Sequence, residues 1–277
     1  MLSFFRERLE TMCLGWILFV ALLVISVLTW LFKGPCLLDT APFVPTVAAN
    51  LCLTTTPSRL LEPWIWKNIV AMQKLQGHEG VVLSLPWVYA KTGEPYVLPE
   101  DMRGAEGIRI LRCADEGPAT KFLGPLKEAS IPEDRILMFC DDDIEYKPQT
   151  FLHLLRAICE RPSEVHAVCE GKINGYLGFG ASKKTLLPVL QIPLPSECKT
   201  VDDNFLITAL KTLGVPITTT AIPGCASFCQ ACAYHMPSSM TRMFKDRGSL
   251  LYKEVLTSDK RSHAISECVA AVQTSSV

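Results

Sequence analysis

The chain has almost no net charge: 27 Lys and Arg stand against 28 Asp and Glu in 277 residues. That balance argues against a nucleic-acid partner, which calls for a basic surface. No Asn-x-Ser/Thr sequon occurs, so N-glycosylation is silent on compartment. There is no internal repeat. Cysteine is not scarce, with twelve residues, but it lacks a framework. Apart from Cys13, the other eleven are scattered and odd in number. Cys52, Cys113, Cys140 and Cys169 lie in apolar strand-like runs, where buried free thiols are common. Others could pair in an oxidising lumen, with a connectivity that spacing does not fix.

A long hydrophobic run is present. Met12 to Phe32 is 21 residues without a charge. At about 1.5 Å per residue it reaches roughly 32 Å, enough for a bilayer core of about 30 Å. A cleaved signal peptide usually has a shorter apolar core of about 7–15 residues, and no small-x-small cleavage site follows. Trp16 and Trp30 suit the two interfaces, so the run reads as an uncleaved signal anchor. Arg6 and Arg8 before it place the N-terminus in the cytoplasm, and the rest in a lumen or outside the cell. The expected organisation is a tail over 1–11, an anchor over 12–32, a proline-rich stem over 33–48, a folded domain over 49–255 and a loose polar tail over 256–277.

Within 49–255 strands and helices alternate. Strands are expected at Leu51–Thr55, Val81–Leu85, Ile108–Cys113, Ile136–Cys140, Val165–Cys169 and Val215–Ile222. Helices are expected from Pro63, around Phe151–Ile158 and around Leu206–Leu213, the last stopped by Gly214 and Pro216. The segment 86–107 reads as a surface insertion. This order predicts an α/β domain with a mostly parallel sheet.

The most informative stretch is Ile136 to Asp143: an apolar strand that ends in Asp141, Asp142 and Asp143. Three adjacent like charges at a strand end call for a cation, and hard oxygen donors suit Mg²⁺ or Mn²⁺. A solvated acidic turn is the alternative. The C-terminal edge of strands is where open α/β sheets bind ligands. Two further polar strand ends meet that edge. One is Thr55-Thr56-Pro57-Ser58-Arg59; the other runs from Asp115 to Lys121 through Gly117 and Pro118.

Taken together, Thr-x-Pro-Ser-Arg, Asp-x-Gly-Pro-Ala-Thr-Lys and Cys-Asp-Asp-Asp-Ile-Glu-Tyr resemble the nucleotide-diphospho-sugar glycosyltransferases of the GT-A fold. The resemblance covers about residues 50–220. It implies a three-layer α/β/α domain behind one transmembrane helix, as in Golgi glycosyltransferases. It implies that Asp143 binds the metal, that Asp141 reaches the metal or the ribose, and that Asp142 shares one of these tasks. Thr55, Arg59, Asp115 and Lys121 would line the nucleotide pocket. One of Asp202 and Asp203, with Asp203 preferred, would be the base that activates an acceptor hydroxyl; an N-cap role is the alternative. A late histidine, His235 or His263, would complete the metal shell, and His235 is the choice. The donor would be a nucleoside-diphosphate sugar and the acceptor a glycan, lipid or protein.

Four glycines with Tyr176 and Phe179 in Gly171–Gly180 suit either a bulged strand or a sugar-stacking loop. Cys225, Cys229 and Cys232 match a radical-enzyme spacing, but too little chain follows for that barrel; a disulfide, buried thiols or zinc with His235 remain. Arg242, Lys245 and Arg247 either close over a diphosphate or form a polar surface. The competing functions are a haloacid-dehalogenase-like phosphatase with Asp141 as nucleophile, and a membrane-anchored binding domain without catalysis. Against the phosphatase, Glu145 stands where that motif wants Thr or Val.

Overall fold

The computed structural model describes residues 47–146, 149–168, 173, 178–220, 234–235 and 258–275, together with 20 and 23–24. The chain divides into two units, Met1–Pro42 and Phe43–Val277. The expected anchor lies outside the described residues except for Val20, Leu23 and Val24, which are helical. Among the described residues no helix is long and apolar enough to cross a membrane.

The second unit is built on a seven-stranded sheet of order β3-β2-β1-β4-β7-β6-β8. Its strands are β1 (Ala49–Thr54), β2 (Gly80–Pro86), β3 (Ile108–Cys113), β4 (Ile136–Phe139), β6 (Val165–Ala167), β7 (Phe179–Ser182) and β8 (Ile217–Thr219). A two-residue pair, β5 (Glu145–Tyr146) and β9 (Tyr234–His235), stands apart. β1, β2, β3 and β4 are mutually parallel, as is the pair of β6 and β8. β7 alone runs against its neighbours β4 and β6. The mostly parallel sheet expected from the alternation is therefore present, with one reversed strand.

β1, β2 and β4 are apolar on both faces because helices cover both. Leu51, Leu53, Val81, Leu83, Ile136 and Met138 face one layer. It contains α1 (Pro57–Leu60), α2 (Pro63–Met72) and α4 (Thr150–Glu160). Ile65, Ile69 and Met72 of α2 recur at helical spacing and are buried, as are Phe151, Leu154, Leu155 and Ile158 of α4. Cys52, Val82, Leu137 and Phe139 face the other layer. It holds α3 (Thr120–Lys127), α6 (Asp202–Thr212) and α7 (Ser258–Ser275), while a short α5 (Lys183–Leu186) follows β7.

One expectation fails here, and one open alternative is decided in favour of a strand. The loose tail over 256–277 is instead an 18-residue helix, α7. Cys268 and Val272 lie one turn apart, fully buried against α6, and Cys268 forms a disulfide with Cys198. Cys52, Cys113, Cys140 and Cys159 are free thiols. The glycine-rich segment offers no sugar platform at Phe179, which is buried in β7 with its ring 4.8 Å from Phe139. Gly180 is required there because a Cβ would meet the Leu137 carbonyl oxygen at 2.7 Å. Tyr176, Cys225, Cys229, Cys232, Arg242, Lys245 and Arg247 lie outside the described residues.

Candidate active site

The C-terminal ends of β1, β3 and β4 and the first turn of α6 meet at one edge of the sheet. β1 delivers Thr55 and then Thr56, whose hydroxyl caps the short helix α1 through the Arg59 backbone N–H. That helix presents Arg59 to the acidic triplet. Arg59 Nη2 lies 2.9 Å from Asp142 Oδ1 and 2.7 Å from Asp143 Oδ2.

Lys121 enters from the first turn of α3. Its Nζ is 3.1 Å from Asp141 Oδ1, 3.0 Å from Asp202 Oδ2 and 3.8 Å from Asp203 Oδ1. Lys121 therefore ties the end of β4 to the start of α6, where Asp202 and Asp203 occupy the first turn and also suit the helix dipole. No side chain caps α6, since Val201 holds the cap position.

The turn carrying the triplet is itself pinned. Asn68 of α2 donates Nδ2 to the Asp142 carbonyl at 2.7 Å and to the Ile144 carbonyl at 3.0 Å. The Asp141 backbone N–H donates to Tyr146 Oη at 3.1 Å. Neither residue stands out in the sequence. Asn68 is one of two polar residues in an apolar helix, and Tyr146, though it closes the Cys-Asp-Asp-Asp-Ile-Glu-Tyr motif, carries no sign there of this hydrogen bond.

Burial and charge act against each other here. Burial pushes the Asp142 carboxyl up to about 7; Arg59 pulls it down, and Asp143 pushes it up again. Burial lowers the Lys121 ammonium, but Asp141, Asp202 and Asp203 overcome this and leave it well above the ordinary lysine value. Arg59 behaves alike: burial lowers it, and Asp142 and Asp143 raise it further. Five carboxylates thus share two cations, leaving an excess of about three negative charges when all are ionised.

Not every expected residue points into this cluster. Asp115 Oδ2 accepts the Ala90 N–H at 2.6 Å and Oδ1 the Gly117 N–H at 2.8 Å. It clips the 86–107 insertion to the end of β3 and shapes the turn at Gly117, whose φ is 62°. Thr55, by contrast, is buried beside Asp142, whose carboxyl its hydroxyl holds lower, and its carbonyl accepts Tyr96 Oη at 3.1 Å. His235 pairs with Glu145 across β5 and β9, just beyond the triplet in the fold. His263 is exposed on α7, 3.0 Å from Glu267.

A divalent ion of the Mg²⁺ or Mn²⁺ type fits this donor set in kind, because carboxylate oxygens and excess negative charge are what it requires. Among the described residues, however, no three His, Cys, Asp or Glu side chains are grouped to hold a metal ion. The carboxylates that carry the excess charge are turned onto Arg59 and Lys121.

No protein-family model and no curated protein matches this chain. Among solved structures it is similar to a 4-diphosphocytidyl-2C-methyl-D-erythritol synthase, with a TM-score of 0.44, 9% identity and coverage of 71% of this chain and 98% of that one. A 2-C-methyl-D-erythritol 4-phosphate cytidylyltransferase of Francisella tularensis gives a TM-score of 0.39 at 8% identity, covering 65% and 94%. Residues 1–349 of S. aureus TarS give 0.46 at 14% identity, covering 82% and 71%. These scores and identities describe a general likeness of α/β architecture and carry no chemistry over.

Proposed function

We propose that this chain is a metal-dependent glycosyltransferase that moves a sugar from a nucleoside-diphosphate donor to an acceptor hydroxyl of a glycan, lipid or protein, with inversion. The observation that carries this reading is the meeting of Arg59, Lys121, Asp141, Asp142, Asp143, Asp202 and Asp203 at the C-terminal edge of parallel strands. Ligands bind open α/β sheets at that edge. Two fixed cations suit a diphosphate, and the carboxylates suit the ion that accompanies it.

In this reading Arg59 binds phosphate oxygens of the donor, and Lys121 lines the pocket while tying Asp141 to Asp202. Asp143 and Asp141, with His235 from β9, hold Mn²⁺ or Mg²⁺. The ion, when bound, supplies Lewis-acid stabilisation of the departing diphosphate. Asp203 accepts the proton of the acceptor hydroxyl as that oxygen bonds to the sugar carbon and the bond to the diphosphate breaks. Asp203 suits this task better than Asp202, because its side chain is 24% exposed against 12% and it lies further from Lys121. The apolar run Met12–Phe32 anchors the chain in a membrane, with the catalytic unit in the Golgi or endoplasmic reticulum lumen. The Cys198–Cys268 disulfide supports an oxidising compartment.

The test is nucleotide release from a panel of sugar donors with Mn²⁺ and candidate acceptors, in wild type and Asp143→Ala. Release by wild type, lost in the variant, is the expected result. No hydrolysis, no transfer and no metal-dependent nucleotide binding would sink the proposal. A phosphorylated Asp141 would point to a phosphatase instead.

A further inference from the structure

We infer that Arg59 guards the acidic triplet against a divalent cation until a nucleoside diphosphate arrives, so that cation and nucleotide bind as a coupled pair. The inference rests on the donor-and-metal reading above and concerns how that site is filled.

Arg59 Nη2 bridges Asp142 and Asp143 at 2.9 and 2.7 Å. A charge-assisted bridge of this length takes up one oxygen of each carboxylate and sets a positive charge where a cation would sit. Asp143 is the expected ligand, and it is the one Arg59 holds most closely. A divalent ion arriving alone must displace the guanidinium. Arg59 would then remain as an uncompensated cation with its side chain only 22% exposed.

A diphosphate changes this balance. A phosphate can take the guanidinium fork through two nitrogens, whereas the two carboxylates share the single nitrogen Nη2. Arg59 sits at the tip of α1, a four-residue helix between β1 and α2, so the fork can change partner with a small movement. Once Arg59 turns to phosphate, Asp143 faces the ion, with Asp141 in the same turn. The nucleotide in turn enters a cluster of five carboxylates only with a compensating cation. Each ligand therefore removes the obstacle to the other, and linkage makes the coupling equal in both directions.

The measurement uses the full chain in detergent, with free Mn²⁺ followed by paramagnetic resonance. Titrations are run without nucleotide and with uridine, guanosine or cytidine diphosphate. In wild type one diphosphate tightens Mn²⁺ binding by about 10-fold or more, and Mn²⁺ tightens that diphosphate by the same factor. In Arg59→Gln the nucleotide-free Mn²⁺ affinity rises by about 10-fold and the coupling falls by the same factor, to what direct attraction between ion and diphosphate leaves. Arg59→Lys keeps the charge but not the fork, so it gives an intermediate rise. It also carries the test if circular dichroism shows that the glutamine variant does not fold. Unchanged or weaker nucleotide-free Mn²⁺ binding in the folded variants overturns the inference. So does wild type that binds Mn²⁺ and a diphosphate independently, which leaves the transferase reading standing. A chain that binds neither ligand, together or apart, removes both.

Discussion

Lys121 and Arg59 neutralise the same acidic cluster from opposite sides, under different conditions. Lys121 is 5% exposed and meets three carboxylates from two elements remote in sequence. Arg59 is 22% exposed and meets two adjacent carboxylates from one turn. A buried ammonium among Asp141, Asp202 and Asp203 is a tie within the fold, since its removal leaves several charges in low dielectric. A half-buried guanidinium at the end of a four-residue helix is replaceable by water, an ion or a ligand. The two cations thus separate holding the site together from opening it.

The strongest way to break this contrast is Lys121→Met. Removing one member of a buried ionic group costs about 3–5 kcal/mol, and here three carboxylates lose their common partner. Urea unfolding at pH 7 measures the loss. Arg59→Gln, by contrast, should cost only about 1–2 kcal/mol, because Asp143 is 24% exposed and rehydrates. Equal losses in the two variants would mean that both cations are structural ties.

Asp142 supplies the next largest effect. Its carboxyl is raised from 3.8 to about 7, chiefly by burial. Between those values the folded chain holds a proton that the unfolded chain has lost. Stability from this group is therefore complete at acid pH and declines as pH rises through about 7. From pH 5 to pH 8 wild type should lose about 2–3 kcal/mol more than Asp142→Asn. Comparing the two proteins at both pH values removes the opposite trend from His78 and His166, whose values burial lowers. A matching slope in the variant would mean that Arg59 keeps Asp142 ionised throughout, and that its side of the cluster is as closed as Lys121's.

The same contrast marks what the sequence discloses. β1, β2 and β4 are legible because each is a largely apolar run bounded by Pro, Gly or charge, as buried parallel strands require, and β3 because Ile108, Ile110 and Leu111 stand out among arginines. β7 is not, since Phe179-Gly180-Ala181-Ser182 carries the signature of a loop. Its glycine answers to the Leu137 carbonyl, about forty residues away in the chain. Helix α7 escapes notice because only Ala264, Ile265, Cys268 and Val272 carry its periodicity, among polar neighbours. In the site, the triplet is visible because its charges are adjacent. The meeting of Lys121 with Asp202 is invisible, because eighty positions separate them and only the sheet joins them. Asp115 is a nucleotide-pocket residue through the resemblance alone; its bonds to the Ala90 and Gly117 backbone amides have no sign in the sequence.

The smallest effect compares the two backbone pins of the triplet. Asn68 holds the Arg59 side of the turn through two carbonyls, and Tyr146 holds the Lys121 side through one N–H. Asn68→Ala removes two hydrogen bonds, each worth about 0.5–1.5 kcal/mol net, but water reaches the half-buried site, so the expected loss is about 1 kcal/mol. Tyr146→Phe removes one bond to the partly exposed Asp141 amide and should cost less, about 0.5 kcal/mol, with the ring still packed on Phe151. The distinguishing readout is nucleotide-free Mn²⁺ affinity, not stability. If Arg59 is the exchangeable cation, loosening its turn through Asn68→Ala shifts that affinity, while Tyr146→Phe leaves it near wild type. A larger shift from Tyr146→Phe would place the yielding side of the cluster at Lys121 and reverse the comparison.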